Sequence, residues 1–179
     1  LRVKQGDNLI DIQGEVGEQW QLDGKLALVK ESPVLGVMQA QGAATFTVRG
    51  DKAAPKLQFD GQFNDISGQF GSMASAVVSL QGQYHDAIDY DLTADFTGLD
   101  VQGQYLDTIS LRSRGDQSVQ QVSANVVSPI GELETALVSE VGEQNQAVKV
   151  RLEQLDVSIQ HQDIALTNAT TFNFDVDKR

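Results

Sequence analysis

The sequence predicts an all-β protein, and three observations support that class. Apolar and polar residues alternate with a period of two in many segments, which places every second side chain on one face of a strand. The chain has 16 Gly and only 3 Pro, a balance that favours strands joined by tight turns. Turn signals are short and frequent. Clean alternation predicts a sheet with one buried and one solvated face, and disfavours a parallel sheet between helices.

The predicted turns divide the chain into short strands, and we find no linker between them. Proline supports three of the turns, because it is excluded from inner strands. We therefore expect one continuous domain over residues 1–179. The turn signals, in chain order, are Asp23-Gly24, Ser32-Pro33, Gly50-Asp51, Ala54-Pro55, Gly115-Asp116, Ser128-Pro129 and the polar residues 140–146.

The clearest strand covers residues 88–96, where apolar side chains alternate with Asp and Thr. Four other segments alternate in the same way. Their inward positions are Leu57, Phe59, Gly61 and Phe63; Val78, Leu80, Gly82 and Tyr84; Leu99, Val101, Gly103 and Tyr105; and Phe172, Phe174 and Val176.

A Gly-Gln-aromatic triplet recurs at residues 61–63, 68–70, 82–84 and 103–105, and the alternation places its glycine and ring on the same face. Two interpretations stay open. The ring can lean over the glycine and so curve the sheet or leave room along it. Alternatively, the triplet marks a conventional bulge at a strand end.

Residues 148–159 support two interpretations. Val148, Leu152, Leu155 and Ile159 have helical spacing, but the segments on either side of Glu153-Gln154 alternate as strands. The β-branched content favours two strand pieces separated by a bulge or turn. A short helix is the alternative.

The charge excludes some partners. A net charge of -12 and the absence of a Lys/Arg cluster exclude nucleic acid and oppose docking onto anionic headgroups. An apolar interior could still accept acyl chains. The absence of Cys excludes disulfides and thiolate metal sites. The chain lacks an initiating Met and a signal-peptide pattern, so we expect a piece of a longer protein.

No constellation predicts catalysis, a metal site or a cofactor. His85 and His161 lie far apart without metal-ligand spacing, and we expect both at the surface. Asp86, Asp89, Asp91 and Asp95 suggest a calcium or glycosidase site. The last three lie on the outward face of a strand, however, and calcium loops need a turning backbone. A solvated acidic face is therefore the prediction.

Alternating strands that close on glycine recur along most of the chain. They lie in residues 24–28, 56–61, 76–82, 99–115, 151–157, 164–166 and 170–175. This pattern resembles the TamB family of AsmA-like proteins.

The resemblance implies an elongated, curved sheet called a β-taco, with a hydrophobic inner groove. It also implies a periplasmic protein, anchored in the inner membrane by an N-terminal segment that this chain lacks. The implied partners are phospholipid acyl chains, the outer-membrane barrel protein TamA and unfolded outer-membrane polypeptides, with no cofactor. The groove would be lined by Leu57, Phe59, Phe63, Phe70, Val78, Leu80, Ile88, Tyr90, Leu92, Phe96, Leu99, Val101, Ile109, Leu111, Val150, Leu152, Val157, Ile159, Phe172 and Phe174.

Three functions are compatible with this pattern. The first is a non-catalytic conduit for phospholipid between the two membranes. The second is a chaperone-like scaffold that offers strand edges or groove to outer-membrane polypeptides. The third is a closed β-sandwich or barrel with a structural role. Alternation alone does not separate them, because inward residues look alike whether they meet lipid, polypeptide or another sheet.

Overall fold

A computed structural model describes residues 1–30, 38–69, 71–85, 87–142, 147–160 and 162–175. These residues form thirteen strands: β1 (Arg2–Gln5), β2 (Asn8–Val16), β3 (Gln19–Leu28), β4 (Met38–Asp51), β5 (Lys56–Gly68), β6 (Gly71–His85), β7 (Ala87–Val101), β8 (Gln104–Gly115), β9 (Val119–Ser128), β10 (Gly131–Val141), β11 (Ala147–Ile159), β12 (Gln162–Ala165) and β13 (Thr170–Asp175). No helix in the described ranges is long and apolar enough to cross a bilayer.

The strands form one open antiparallel sheet in which each pairs with the next along the chain, from β1 to β12. Strand β13 also pairs with β11, beside β12. The all-β prediction is confirmed, and an open sheet is consistent with the curved, taco-like shape that the resemblance implied. The closed sandwich or barrel is wrong, because the two ends of the sheet do not pair with each other in the described structure.

Four lateral rows of paired residues cross the sheet on one side, which we call the apolar face. Directly paired residues share a face, so each row can be followed from strand to strand. The Leu57 row contains Gly14, Leu22, Val48, Leu57, Gly82, Tyr90, Gly115, Gln120, Ser139, Val150 and Phe172. The Phe59 row contains Ile12, Gly24, Phe46, Phe59, Leu80, Leu92, Ser113, Val122, Leu137, Leu152 and Thr170.

The other two rows lie towards the opposite strand ends. The Val78 row contains Ile10, Leu26, Ala44, Gly61, Val78, Ala94, Leu111, Ala124, Thr135 and Leu155. The Phe63 row contains Leu28, Gly42, Phe63, Ala76, Phe96, Ile109, Val126, Leu133, Val157 and Ile164. None of the residues in the four rows is charged, and the rows run perpendicular to the strands.

Burial follows these rows. Three of the five buried hydrophobic residues, Ala44, Ala76 and Ala94, are small residues in the Val78 and Phe63 rows. No large side chain in the described part of the chain is fully buried. Larger side chains therefore surround these small residues within the sheet. The described residues form no second layer over the apolar face.

Several turns lie where the sequence predicts them. Residues 52–55 join β4 to β5, Asp116 begins the β8–β9 turn, and Pro129 lies between β9 and β10. Asp23-Gly24 is not a turn, because both residues lie within β3 and pair with β4. Ser32-Pro33 lies outside the described residues, as do residues 143–146 of the polar segment 140–146.

Residues 147–159 form one strand, so the short-helix alternative is wrong. Ala136 pairs with Gln154 and Leu137 with Leu152, which leaves Glu153 as an extra residue in β11. The predicted bulge is therefore confirmed. It shifts the alternation by one residue, so that Leu152 and Leu155 lie on the same face.

Candidate hydrophobic groove

Most of the predicted groove residues lie together on the apolar face. They come from β5 to β8, from β11 and from β13, and the pairing register places them in the four rows. These residues are Leu57, Tyr90, Val150 and Phe172; Phe59, Leu80, Leu92 and Leu152; Val78 and Leu111; and Phe63, Phe96, Ile109 and Val157. Phe70 lies outside the described residues, as does Val176.

Three further predicted residues continue the same alternation at the strand ends. Ile88 pairs with Tyr84, and Phe174 pairs with Val148. Ile159 pairs with Gly131. The side chains of Ile88, Ile159 and Phe174 are 50%, 43% and 54% exposed, so they form the margins of the apolar face.

Leu99 reaches the apolar face through a local interruption of the alternation, while the pairing register stays the same. Asp65 and Gly98 both have positive φ, at 50° and 60°, and the regular alternation is interrupted at each. Beyond them Ile66 pairs with Met73, which pairs with Leu99. Because Ile66 lines a cavity together with Phe63, Leu99 shares the side of the apolar face.

The predicted strand over residues 99–105 is wrong. Val101 ends β7 and pairs with Gln104 across a two-residue turn, in which Gln102 and Gly103 have φ of 54° and 83°. Tyr105 pairs with Asp100 and therefore lies on the opposite face from Leu99. Val101 is 41% exposed at this hairpin.

In one Gly-Gln-aromatic triplet the ring leans over the glycine, as the first of the two interpretations predicts. A Cβ at Gly61 would overlap the rings of Phe63 and Phe59, so these rings lie over the glycine. At Gly82 a Cβ would meet only the Asp89 carbonyl at an ordinary distance. The triplets at residues 68–70 and 103–105 lie at turns, because Gly68 pairs with Gly71 and Gly103 belongs to the β7–β8 hairpin.

The part of the apolar face on β1 to β4 is not among the groove residues predicted from the sequence. A cavity of about 620 Å³ opens there. The period-two alternation in β3 and β4 could have predicted this part of the face. Because Asp23-Gly24 was predicted as a turn, however, β3 was not recognised as one strand. The cavity is lined by Val3, Gln5, Asn8, Ile10, Leu26, Leu28, Met38, Ala40, Phe63 and Ile66.

The opposite face carries the charges. The Asp95 carboxylate accepts hydrogen bonds from Arg112 at 2.9 Å and from Ser110 at 2.7 Å, and these bonds lower the pKa of Asp95. Hydrogen bonds from Ser79 and Gln58 likewise lower the pKa of Asp60.

The acidic face shows no metal-binding geometry. Asp89 and Asp91 are exposed and pair with Gln83 and Gln81, and Asp86 lies outside the described residues. No three potential metal ligands cluster in the part of the chain that the structure describes. His85 is exposed at the end of β6, as predicted, whereas His161 is not among the described residues.

Comparison with known proteins identifies the family. The family model described as TamB, N-terminal domain, matches residues 1–179, the whole chain. Searches of curated proteins and of solved structures returned no match.

Proposed function

Because the chain belongs to the TamB family through its N-terminal domain, we propose that it is a non-catalytic segment of a hydrophobic groove. This groove conducts phospholipid between the inner and outer membranes as part of the translocation and assembly module. The segment lies in the periplasm, within a longer protein anchored in the inner membrane, and phospholipid acyl chains contact the apolar face. In the full-length protein the outer-membrane partner is TamA.

The observation that carries the proposal is a continuous apolar face over which the described residues form no second layer. Leu57, Ile88 and Phe174 expose 38%, 50% and 54% of their surface, and an uncovered apolar surface of this extent marks an interaction site. From β2 to β11 the rows cross nine strand intervals, which amounts to about 43 Å at about 4.8 Å per interval. This length supports lipid contact across many strands.

The chemistry of the face favours a conduit over a tight pocket. Each methylene buried against it contributes about 0.8 kcal/mol before ordering costs. Since the four rows carry no charged residue, no single position holds a lipid by an ion pair. A chain can therefore remain bound while it moves from one strand to the next.

Native mass spectrometry with lipid extraction tests the proposal. The chain purified from a bacterial periplasm should carry phospholipid. Leu92→Arg places a cation in the Phe59 row and should remove the lipid, because a buried unpaired charge is costly. The matched control is Gln81→Arg on the charged face of β6, opposite Asp91, which should retain the lipid.

Circular dichroism should show that both variants keep their strand content. A folded wild-type chain without lipid would overturn the proposal, and so would a folded Leu92→Arg variant that carries as much lipid as the wild type.

The second candidate function is a scaffold for outer-membrane polypeptides or autotransporters. One observation supports it: β12 and β13 each pair with β11 only, which leaves their outer edges without a strand partner in the described structure. Such edges can accept an extended polypeptide through main-chain hydrogen bonds. Leu92→Arg should leave this binding unchanged, because Leu92 lies in the middle of the sheet.

A further inference from the structure

Four polar side chains interrupt the apolar face at one place. Tyr90, Gln120 and Ser139 lie in the Leu57 row on β7, β9 and β10, and Ser113 lies next to them in the Phe59 row on β8. We call these four residues the polar patch. Since the patch spans adjacent strands, its members form one continuous surface about three strand intervals wide, or about 14 Å.

The polar patch presents hydrogen-bond donors without charge. The Tyr90 and Ser113 hydroxyls hydrogen-bond each other at 3.0 Å, so one hydroxyl proton of this pair remains available. The side chains of Gln120 and Ser139 make no hydrogen bond to other described residues. The pair therefore offers one donor, and Gln120 and Ser139 can each donate as well.

Apolar residues surround the polar patch on the same face. Leu92, Val122 and Leu137 lie beside it in the Phe59 row, and Val150 follows Ser139 in the Leu57 row. Gly115 lies between Tyr90 and Gln120 in the Leu57 row and carries no side chain. A ligand that matches this surface needs long apolar chains and a neutral group that accepts hydrogen bonds.

We infer that the polar patch binds the ester-linked glycerol region of a phospholipid, while its acyl chains lie along the neighbouring apolar rows. Ester carbonyl groups accept hydrogen bonds and carry no charge, which matches a cluster of neutral donors. A phosphate or a carboxylate would call for a cation, and the four rows contain none. This inference rests on the proposed function and adds a discrete resting position within the groove.

Paired lipids test the inference. The chain is offered equal amounts of a diester phosphatidylethanolamine and its diether analogue, which has the same chains and headgroup but no ester carbonyl. Bound lipids are then counted by native mass spectrometry. One net hydrogen bond changes affinity about fivefold, so the wild type should prefer the diester by about fivefold to twentyfold.

The patch variant combines Tyr90→Phe, Ser113→Ala, Gln120→Leu and Ser139→Ala. With both lipids in saturating amounts, it should bind as much total lipid as the wild type but lose the preference for the diester. The matched control carries Gln62→Leu and Ser123→Ala on the charged face and should keep the preference.

The outcomes separate the two proposals. Equal binding of diester and diether by the wild type would overturn this inference alone, because acyl chains would still bind. A preference that survives in the patch variant would overturn the assignment to these residues. A wild type that binds neither lipid would overturn the proposed function and this inference with it.

Discussion

At the scale of single residues, the absence of a side chain decides where rings pack on the apolar face. Gly24 lies in the middle of β3, and a Cβ there would overlap the ring of Phe46. Gly61 has the same relation to Phe59 and Phe63. Because these glycines have no Cβ, the rings of Phe46, Phe59 and Phe63 can pack over the backbone at Gly24 and Gly61.

Gly24→Ala should therefore destabilise the chain, by about 1 to 3 kcal/mol, because the added methyl group displaces the Phe46 ring. Gly82→Ala is the matched control. Its Cβ meets only ordinary contact, and alanine costs less conformational entropy than glycine, so stability should be unchanged or slightly higher. Urea unfolding measures both variants. Equal stability of the two would show that the ring position does not depend on glycine.

The Asp95 carboxylate makes the stability of the folded chain depend on pH. Its pKa is lowered from 3.8 by hydrogen bonds from Arg112 and Ser110. A lowered pKa stabilises the folded chain above pH 3.8, and this contribution is lost as the pH falls through the lower folded pKa. The urea midpoints of wild type and Asp95→Asn should therefore differ at pH 6, and the difference should be smaller at pH 2.

Arg112→Gln checks the cause of that effect. Without the guanidinium the pKa of Asp95 should rise towards its ordinary value, and the acid-dependent part of the stability difference should shrink. If the midpoint difference between wild type and Asp95→Asn were the same at both pH values, the ion pair would contribute nothing to folding.

At the scale of elements, register determines which side chains reach the apolar face. A shift of one residue moves every side chain of a strand to the other face. In β11 the sequence itself changes phase at Glu153, since Val148, Val150 and Leu152 precede the bulge while Leu155, Val157 and Ile159 follow it. The bulge keeps all six on one face.

Deletion of Glu153 should consequently be tolerated, because the shortened strand alternates without interruption and pairs regularly with β10. The free energy of unfolding should change by less than about 1 kcal/mol, since the one ion pair that Glu153 makes with another described residue is the exposed one with Arg151. Urea unfolding followed by circular dichroism measures the change.

Deletion of Arg151, two residues away, is the matched control. It should cost at least about 2 kcal/mol, because either Val148 and Val150 or Leu152 must turn to the charged face. If both deletions proved equally harmful, the phase of the alternation would not govern the register of β11.

At the scale of the whole molecule, stability is divided along the sheet. Every substantial contact between strands joins neighbours in the sheet, and there is no shared core in the described part of the chain. Such a structure behaves nearly as a one-dimensional array, in which a strand is stabilised by its two neighbours. Opening at one end need not open the other.

Hydrogen exchange should reveal this division. Amides in β5 to β8 should exchange most slowly. Amides in β1, β12 and β13 should exchange fastest, because these edge strands are short and each pairs with one neighbouring strand only. In Gly24→Ala the increase in exchange should be confined to β2, β3 and β4. An equal increase in β9 to β11 would show that the sheet opens as one cooperative unit.

The sequence by itself determined the strand class, the composition of the two faces and the phase change at Glu153. These are local properties, because a period of two needs no partner to be read. Most of the predicted groove residues lie on the apolar face for the same reason. The prediction of a strand through Gly103 and Tyr105 was wrong, because the alternation continues unbroken across a hairpin turn. The pattern alone does not distinguish that turn from a strand.

Only the tertiary structure decided which strands pair and whether the sheet closes. Alternation specifies which face of the sheet a residue occupies but not what contacts that face. The same sequence pattern is therefore compatible with an open sheet and with a closed sandwich. The polar patch depended on pairing for the same reason: Tyr90, Ser113, Gln120 and Ser139 are up to 49 residues apart in the chain, and cross-strand hydrogen bonds bring them together.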